Sequence, residues 1–288
     1  MEFVLNHFDT IGVAVILLFM GYFENPIGLY GPKRRDSYSN KLEFAGLLAV
    51  FLLIKPGIIY SSYSILTAIS PGSAGALGEV SFGWAILGYL LIDDVLQYSY
   101  HRAAHVWPLL WKLHRAHHSA TSMGAFVTYR NGFFYYVFMP NLWWGGAAVW
   151  AGLGQVVAVS LVIKLVVVIS SHAEKPWDKF FYDRPQLSWV MAIIERIIVT
   201  PSTHRGHHGK TIDDGVSNPN GNFGNMFFIW DQIFGTAKIN RRYPEVYGIE
   251  NDKAKDTWQA EFFWPLISSS DPNSELYFQK DNKSIRVP

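Results

Sequence analysis

Long apolar blocks, separated by short polar segments, fill most of the first 171 positions of this 288-residue chain. A helix needs about 20 residues to cross the hydrocarbon core of a bilayer. Five blocks approach or exceed that length, and they cover residues 3–23, 42–69, 80–100, 133–150 and 153–171. The pattern predicts an all-α integral membrane helical bundle of about four to five spans, rather than the buried helices of a soluble protein.

Proline and glycine modify this pattern at two places. Lys55-Pro56 lies inside the second block, and proline removes a backbone donor and clashes with the preceding turn, which predicts a kink. The fourth and fifth blocks are separated only by Ala151-Gly152-Leu153-Gly154. Such a short glycine-containing connection predicts that these two blocks form a helical hairpin.

Basic residues give the predicted bundle an orientation. Lys33, Arg34, Arg35 and Lys41 lie between the first and second blocks, whereas the next connection, 70–79, has no lysine or arginine. Because basic connections stay in the cytoplasm, the first connection is predicted to be cytoplasmic and the N-terminus to lie outside. Counting spans from there puts the ends of the third and fifth blocks on the cytoplasmic side.

The chain beyond residue 172 is more polar and contains no convincing further span. Residues 189–199 have the pattern of an amphipathic helix that lies on the membrane surface, with Glu195 and Arg196 directed toward water. Residues 268–288 are predicted to be a solvated, flexible tail. No linker or repeat divides the chain, so residues 1–288 are predicted to form a single domain.

Composition excludes several classes of protein. The formal net charge is only +1, which argues against nucleic acid as a partner. The chain has no cysteine, which excludes disulfides, thiolate nucleophiles, zinc fingers and cysteine-ligated iron–sulfur clusters. Its 11 tryptophans and 15 tyrosines suit a protein that lines membrane–water interfaces.

Nine of the ten histidines occur in three short clusters and one position between them. One cluster reads H-x-x-x-H and the other two read H-x-x-H-H, so in helices the rings of each cluster lie close together. Neutral imidazole is the commonest protein ligand for iron, zinc and copper. Nine imidazoles exceed what one ion needs and suit two ions. The predicted metal ligands are His101, His105, His114, His117, His118, His172, His204, His207 and His208.

All nine histidines are predicted to reach the same face of the membrane. The third block ends where His101 begins, and the helical hairpin returns the chain to that side at His172. The cluster that begins at His204 follows without a further span. The sequence therefore predicts a histidine-rich cap on the cytoplasmic face of a multi-pass membrane protein.

These motifs resemble the membrane fatty acid hydroxylase and sterol desaturase superfamily. The order H-x(3)-H, H-x(2)-H-H and a downstream H-x(2)-H-H is that of the family. The flanking residues match as well, and they include Asp94 before Tyr98-Ser-Tyr-His-Arg, Thr200-Pro-Ser-Thr-His204, Asn222-Phe-Gly-Asn and Trp230-Asp-Gln-Ile-Phe-Gly-Thr236. The family-like core extends from about residue 86 to about residue 248.

The resemblance implies a non-haem diiron oxygenase. Its two iron ions, held almost wholly by histidine, would use O2 to hydroxylate a C–H bond of a lipid or sterol-like substrate. Zinc can replace the iron on overexpression. The chain has no G-x-G-x-x-G motif and no cysteine, so the electrons must come from a separate donor protein. The predicted donor is a cytochrome or a ferredoxin with its reductase, docking on the cytoplasmic face.

Histidine ligands usually donate their second ring N–H to a carboxylate or a carbonyl. Asp94 lies seven residues, or two helical turns, before His101 and is predicted to orient the imidazoles. Asn222 and Asp231 are further candidates for this role, and Asp231 could equally cap a turn.

Four basic residues lie close to the clusters or within a span. Arg102, Arg115 and Arg205 each follow the first histidine of a cluster and are expected to face lipid headgroups or acidic partners rather than the metals. Lys164 lies inside the fifth block, where it is expected to snorkel or to be paired. Contact with a substrate headgroup is the alternative for Lys164.

Other activities remain open at this point. The same centre in this superfamily could carry out desaturation or oxidative demethylation instead of hydroxylation. A zinc-dependent membrane hydrolase is disfavoured because the chain has no H-E-x-x-H motif and no glutamate inside a histidine cluster. A metal transporter is disfavoured because its histidines would follow a path through the membrane rather than gather at one face.

Overall fold

The computed structural model describes residues 37–278, together with Gly12 and Val15. Within this part of the chain the regular structure is helical, and extended segments meet only at isolated bridges. The predicted all-α fold is therefore confirmed for the described residues. The first apolar block lies outside them except at those two positions, as do residues 279–288 of the predicted tail.

The second apolar block forms one long helical stretch. Helix α1 (Ser37–Ala49) continues through a π-helical segment (Val50–Ile54) into helix α2 (Lys55–Ile69). The widened turns lie just before Pro56, where the ring would otherwise collide with the preceding turn, and the Lys55 amide donates to the Val50 carbonyl. The irregularity expected at Lys55-Pro56 is therefore present as a π-helical segment.

The third apolar block forms helix α3 (Phe82–Val106), which has 25 residues. Helix α4 (Pro108–His118) begins after a single extended residue, Trp107. Proline favours the first turn of a helix and forces the residue before it into an extended conformation, so the chain turns sharply here. This turn brings α4 back against the end of α3.

The fourth block is not a single helix. It divides into helix α5 (Phe133–Val137) and helix α6 (Pro140–Trp150), and the prediction of one helix over residues 133–150 is therefore wrong. The interruption lies directly before Pro140, where Met139 is extended for the same reason as Trp107.

Helix α7 (Gly154–His172) follows α6 through a tight turn, as the hairpin prediction required. Gly152 at this turn has a φ of +96°, which L side chains rarely adopt. Helices α2 and α6 cross closely at Gly146, where an added Cβ would lie 2.6 Å from the Cβ of Ser62. Small residues permit this close approach of helices.

Two helical stretches of the described chain are long and apolar enough to cross a membrane, Lys41–Ile69 and Gly154–His172. Helix α3 has the length to span but carries two aspartates. The outward faces are apolar, and Leu52, Leu53 and Tyr60 are each more than half exposed. The full number of spans and the cytoplasmic position of the cap stay predictions.

The remaining helices are short and form the cap around the histidines. They are α8 (Lys179–Tyr182), α9 (Ser188–Ile197), α10 (Pro201–His208), α11 (Ile229–Ile233) and α12 (Trp258–Phe263).

Helix α9 has the amphipathic pattern predicted for residues 189–199, with one correction. Trp189, Ile193 and Ile197 are exposed at intervals of four residues. Glu195 was expected to face water, but it is only 1% exposed, and its carboxylate accepts from the Arg241 guanidinium at 2.6 Å. A buried carboxylate needs such a partner, and the partner is distant in sequence.

Candidate metal centre

All nine predicted ligands, the eight histidines of the motifs and His172, meet at one place, where α3, α4, α7 and α10 converge. Their ligand nitrogens form two groups, and within each group these atoms lie within 4.8 Å of one another. We call these the five-histidine group, which contains His101, His105, His114, His118 and His207, and the four-histidine group, which contains His117, His172, His204 and His208. The groups adjoin, since the rings of His118 and His208 stack at 4.6 Å.

The start of α10 explains how the last cluster enters the site. Thr200 caps the helix, its side chain accepting from the Thr203 amide while the Thr203 hydroxyl accepts from the Thr200 amide. Pro201 occupies the first turn, where a missing N–H costs nothing. The Ser202 amide donates to the buried carboxylate of Asp178 at 2.7 Å. The Thr-Pro-Ser-Thr segment is therefore a helix start that fixes where His204 and the two histidines after it point.

Hydrogen bonds at Nδ1 determine the proton position on five of the rings. A carbonyl oxygen can only accept, so a ring whose Nδ1 contacts one carries its proton there and presents an Nε2 lone pair to the group. The pairs are His101 with the Phe223 carbonyl (2.8 Å), His114 with Oδ1 of Asn131 (2.7 Å), His117 with the Val127 carbonyl (3.0 Å), His172 with the Val168 carbonyl (2.7 Å) and His207 with the Gly221 carbonyl (2.8 Å).

The Nε2 atoms face one another in the arrangement that a bound cation requires. Nε2 of His101 lies 3.0 Å from Nε2 of His207, and Nε2 of His117 lies 3.3 Å from Nε2 of His172. Both rings of each pair hold their proton on Nδ1, so two lone pairs meet without a hydrogen. Nε2 of His105, His114 and His118 is likewise buried, with no hydrogen-bond partner among the described residues. The donor set therefore fits metal ions, which bind such lone pairs.

Burial keeps the imidazoles of the cap neutral. Desolvation, followed by repulsion from neighbouring histidines, lowers the pKa of these rings well below 6.5. The rings concerned on α4 and α10 are those of His117, His118, His204 and His208, and the same direction holds for His114 and His207. Neutral imidazole is the form that binds a metal, so the folded chain presents its ligands ready for metal at pH 7.

The lowered pKa values predict how acid acts on the metal-free protein. Below pH 6.5 the histidines of the unfolded chain take up protons that the buried rings of the folded chain refuse. The free energy of unfolding should therefore fall as the pH drops from about 6.5 toward about 5. Thermal unfolding of metal-free protein in detergent, measured between pH 8 and pH 5, tests this. A melting temperature that stays constant or rises on acidification would contradict it.

Asp94 acts on the site through a loop. Among the described residues its carboxylate accepts from the amides of Met226 (3.0 Å) and Phe227 (2.8 Å) and from the indole of Trp230 (3.2 Å), not from an imidazole. The predicted direct hydrogen bond from a histidine is therefore replaced by an indirect connection. The acceptor for His101 is a backbone carbonyl of that same loop.

Asp231 holds the other side of this loop. Its two oxygens accept from the amides of Phe223 and Gly224, both at 2.7 Å, and one also accepts from the Thr236 hydroxyl at 2.6 Å. Asn222, whose φ is +54°, donates from its side chain to the Thr203 carbonyl at 2.9 Å. The three residues proposed to orient the imidazoles thus fix the backbone whose carbonyls bond to His101 and His207.

Sequence reasoning missed Asn131 and an acidic cluster around α4. Asn131 bonds directly to His114, but a lone asparagine gives no signal in a sequence. Arg115 was expected to face headgroups or acidic partners, and it is 2% exposed and pairs with carboxylates of its own chain. They are those of Asp256 (2.5 Å), Asp252 (2.8 Å), Glu261 (3.5 Å) and Glu275 (3.6 Å).

Arg205 also faces the protein rather than headgroups. Its guanidinium donates to the carbonyls of Ala173 (2.5 Å) and Glu174 (2.7 Å), directly after the end of α7. This contact connects α10 to the segment that follows His172. Lys164 is paired, as one of its two predicted roles required, and its partner is Asp93 on α3.

Two cavities reach the histidines. A cavity of about 150 Å³ is lined by His101, His117 and His204 at one end and by side chains of α6 and α7 at the other, including Leu142 and Leu161. A second cavity of about 430 Å³ touches the five-histidine group at His105 and His118 and is otherwise lined by polar chain beyond residue 209 and by tryptophans at the start of α4.

Comparison with known proteins agrees with this geometry. The model of the fatty acid hydroxylase family matches residues 86–236, which is more than half of the chain. Alkylglycerol monooxygenase of Caenorhabditis elegans is 28% identical over 194 residues, covering 64% of this chain and 34% of that protein. The human alkylglycerol monooxygenase is 27% identical over 169 residues, covering 58% and 33% of the two chains.

A bacterial relative is similar to this chain over a region of comparable length. The ornithine lipid hydroxylase OlsE of Rhizobium tropici is 29% identical over 151 residues, covering 52% of this chain and 40% of that protein. The matched part of the chain thus spans about a third of the length of these curated relatives. No solved structure matches. The family match, which contains all three histidine motifs, shows that this chain belongs to the fatty acid hydroxylase family.

Proposed function

We propose that this protein is a membrane-bound diiron oxygenase that uses O2 and externally supplied electrons to hydroxylate a C–H bond of a lipid or sterol-like substrate. The observation that carries this proposal is the pair of adjoining histidine groups, whose Nε2 lone pairs converge beside a cavity lined by the apolar helices. Both the family and the names of the relatives support oxidation of a lipid.

Each histidine group would hold one iron ion. Two iron ions, when bound, supply the activation of dioxygen that attack on an unactivated C–H bond requires. The chain's own contribution is to present nine buried imidazoles to the two groups, and the carbonyls and the asparagine that accept from Nδ1 fix the orientation of five of them. In soluble bundle diiron proteins most of these positions are glutamates, so an all-histidine set leaves more positive charge on the ions.

The apolar helices would hold and shield the substrate. Val50, Leu142, Leu161 and Leu165 line the cavity that ends at the histidines. Such a lining binds a hydrocarbon segment and excludes water from the oxidation site. We propose that the lipid enters from the bilayer, with the histidine cap on the cytoplasmic face of a multi-pass bundle of about four to five spans.

A separate protein would supply the electrons. The second cavity is the proposed approach for a cytochrome or ferredoxin, because it leads to the five-histidine group from the polar part of the chain. The ring of Trp111 lies 5.4 Å from that of His105 and 5.6 Å from that of His118, and its indole N–H donates to Glu275. This aromatic side chain connects the cavity wall to two of the proposed ligands.

Product analysis under labelled oxygen tests the proposed function. Iron-loaded full chain, supplied with a reductase system and lipid under ¹⁸O2, is expected to yield a product that has gained one labelled oxygen atom. Zinc-loaded protein is the control and should be inactive. Loss of two hydrogens without a gain of oxygen would favour the desaturase alternative. Oxygen-independent turnover by the zinc-loaded protein would favour the hydrolase.

A further inference from the structure

A charged pair lies inside the helical bundle, next to the cavity that reaches the histidines. The Lys164 ammonium on α7 binds the Asp93 carboxylate on α3, and the two side chains are 12% and 6% exposed. Ionisable groups at membrane depth are costly, and they usually mark a functional site.

The pair belongs to a cavity as well as to the helix packing. A smaller cavity of about 60 Å³ is lined by Asp93, Lys164, Asn141 and Ser160. Asn141 and Lys164 also line the larger cavity that ends at the histidines. The two cavities therefore share a wall, and these two polar side chains form part of it.

Several polar atoms on these walls have no hydrogen-bond partner among the described residues. The Asn141 amide N–H donates to Asp93 at 3.3 Å, but its Oδ1 is buried and unpaired among the described residues, and Asn141 is only 8% exposed. The hydroxyls of Ser160 and Tyr129 are also buried and unpaired in this part of the chain. A pair that served only to hold helices together would not need such neighbours.

The unpaired atoms determine which ligand chemistry fits. An amide oxygen accepts hydrogen bonds only, so Asn141 calls for a ligand O–H or N–H. The Lys164 ammonium has three N–H donors, and one of them donates to the Asp93 carboxylate. A second N–H of the ammonium can donate to a ligand oxygen. A hydroxyl group answers both requirements, because it donates to the amide oxygen and accepts from the ammonium.

We propose that Asn141 and the Lys164–Asp93 pair bind a hydroxyl group of the lipid substrate, which places the oxidised carbon near a polar end of the molecule. This inference rests on the proposed function, because it assumes that the bound lipid is the molecule that is oxidised. Binding of the hydroxyl group does not require metal and can be measured separately. The protein would thus distinguish lipids with a hydroxyl near the reacting carbon from plain hydrocarbon chains.

Binding to the metal-free full chain in nanodiscs tests this site without turnover. The probes are hexadecanol and hexadecyl methyl ether, which differ at the polar end by the O–H donor. We expect the wild type to bind the alcohol about tenfold more tightly than the ether. Asn141→Leu, which removes the acceptor with little change in size, should bind the two probes equally. Leu87→Met, on the exposed face of α3 and outside both cavities, should keep the preference.

A second variant tests the same site without leaving a buried charge unpaired, which could unfold the protein. The double change Asp93→Asn and Lys164→Met removes both charges together, so neither remains buried alone, and it should also lose the preference for the alcohol. A separate sample of each variant loaded with iron should bind as much iron as the wild type, which would show that the variant is folded. Equal binding of both probes by the wild type, or an undiminished preference in folded Asn141→Leu, would overturn the inference. Preference for the alcohol without oxidation of any lipid would instead overturn the proposed function.

Discussion

Replacing His207 with alanine is expected to leave the chain with one bound metal ion or none and to abolish lipid oxidation. His207 is fully buried, its Nε2 lies 3.0 Å from that of His101, and its Nδ1 bonds to the Gly221 carbonyl. Its loss opens the five-histidine group, and we expect metal affinity there to fall at least about a hundredfold. The measurements are iron per chain by elemental analysis and product formation under saturating lipid.

The chain offers a matched control in His7. This tenth histidine belongs to none of the motifs and lies outside the described residues, and His7→Ala should keep full iron content and activity. His207→Ala should still insert in membranes, because α10 follows the last apolar block. Wild-type turnover by His207→Ala would remove this residue from the proposed centre.

Arg115→Met is expected to lower the free energy of unfolding by about 3–5 kcal/mol. The guanidinium compensates the buried carboxylates of Asp256 and Glu261, which are 4% and 3% exposed, and bonds to Asp252. Removing one side of a buried ionic network leaves the other side uncompensated, and this cost exceeds what the pair itself contributes. Denaturant-induced unfolding of metal-free protein in detergent measures the loss.

An exposed ion pair provides the comparison. Lys179 and Asp183 lie 2.9 Å apart, but their side chains are 57% and 54% exposed, so Lys179→Met should change stability by no more than about 0.5 kcal/mol. Similar small losses in both variants would show that the acidic cluster does not stabilise α4. Because α4 carries three of the nine histidines, Arg115→Met should also weaken metal binding.

The sequence predicted which histidines form the site but few of the residues that hold them in place. The spacing of the clusters, with His172 between them, indicated nine ligands, and all nine lie in the two groups. Asn131 and the carbonyls of Val127 and Gly221 carry no signal in a sequence, because any residue supplies a carbonyl. Asp94 was singled out from its distance to His101, yet it acts through the amides of a loop more than 130 positions away.

Predictions from proline and glycine were correct where neighbouring residues alone determine the backbone conformation. Proline at position 56 predicted an irregular helix, and Gly152 predicted the turn before α7. The same rules applied to Pro140 would have divided the fourth apolar block, which hydropathy alone treated as continuous. Glu195 was misassigned because its partner, Arg241, lies 46 positions further along the chain.

What the sequence by itself determined is which side chains form the candidate centre, since i, i+3 and i+4 spacings keep the imidazoles of a cluster close together on a helix whatever surrounds it. Only the tertiary structure decided how they divide. His117 joins His172 and two rings of α10, while its neighbours His114 and His118 join the rings of α3. Successive residues of a helix point about 100° apart, so a single cluster faces two neighbours, and the packing of α3 and α7 determines which ring meets which.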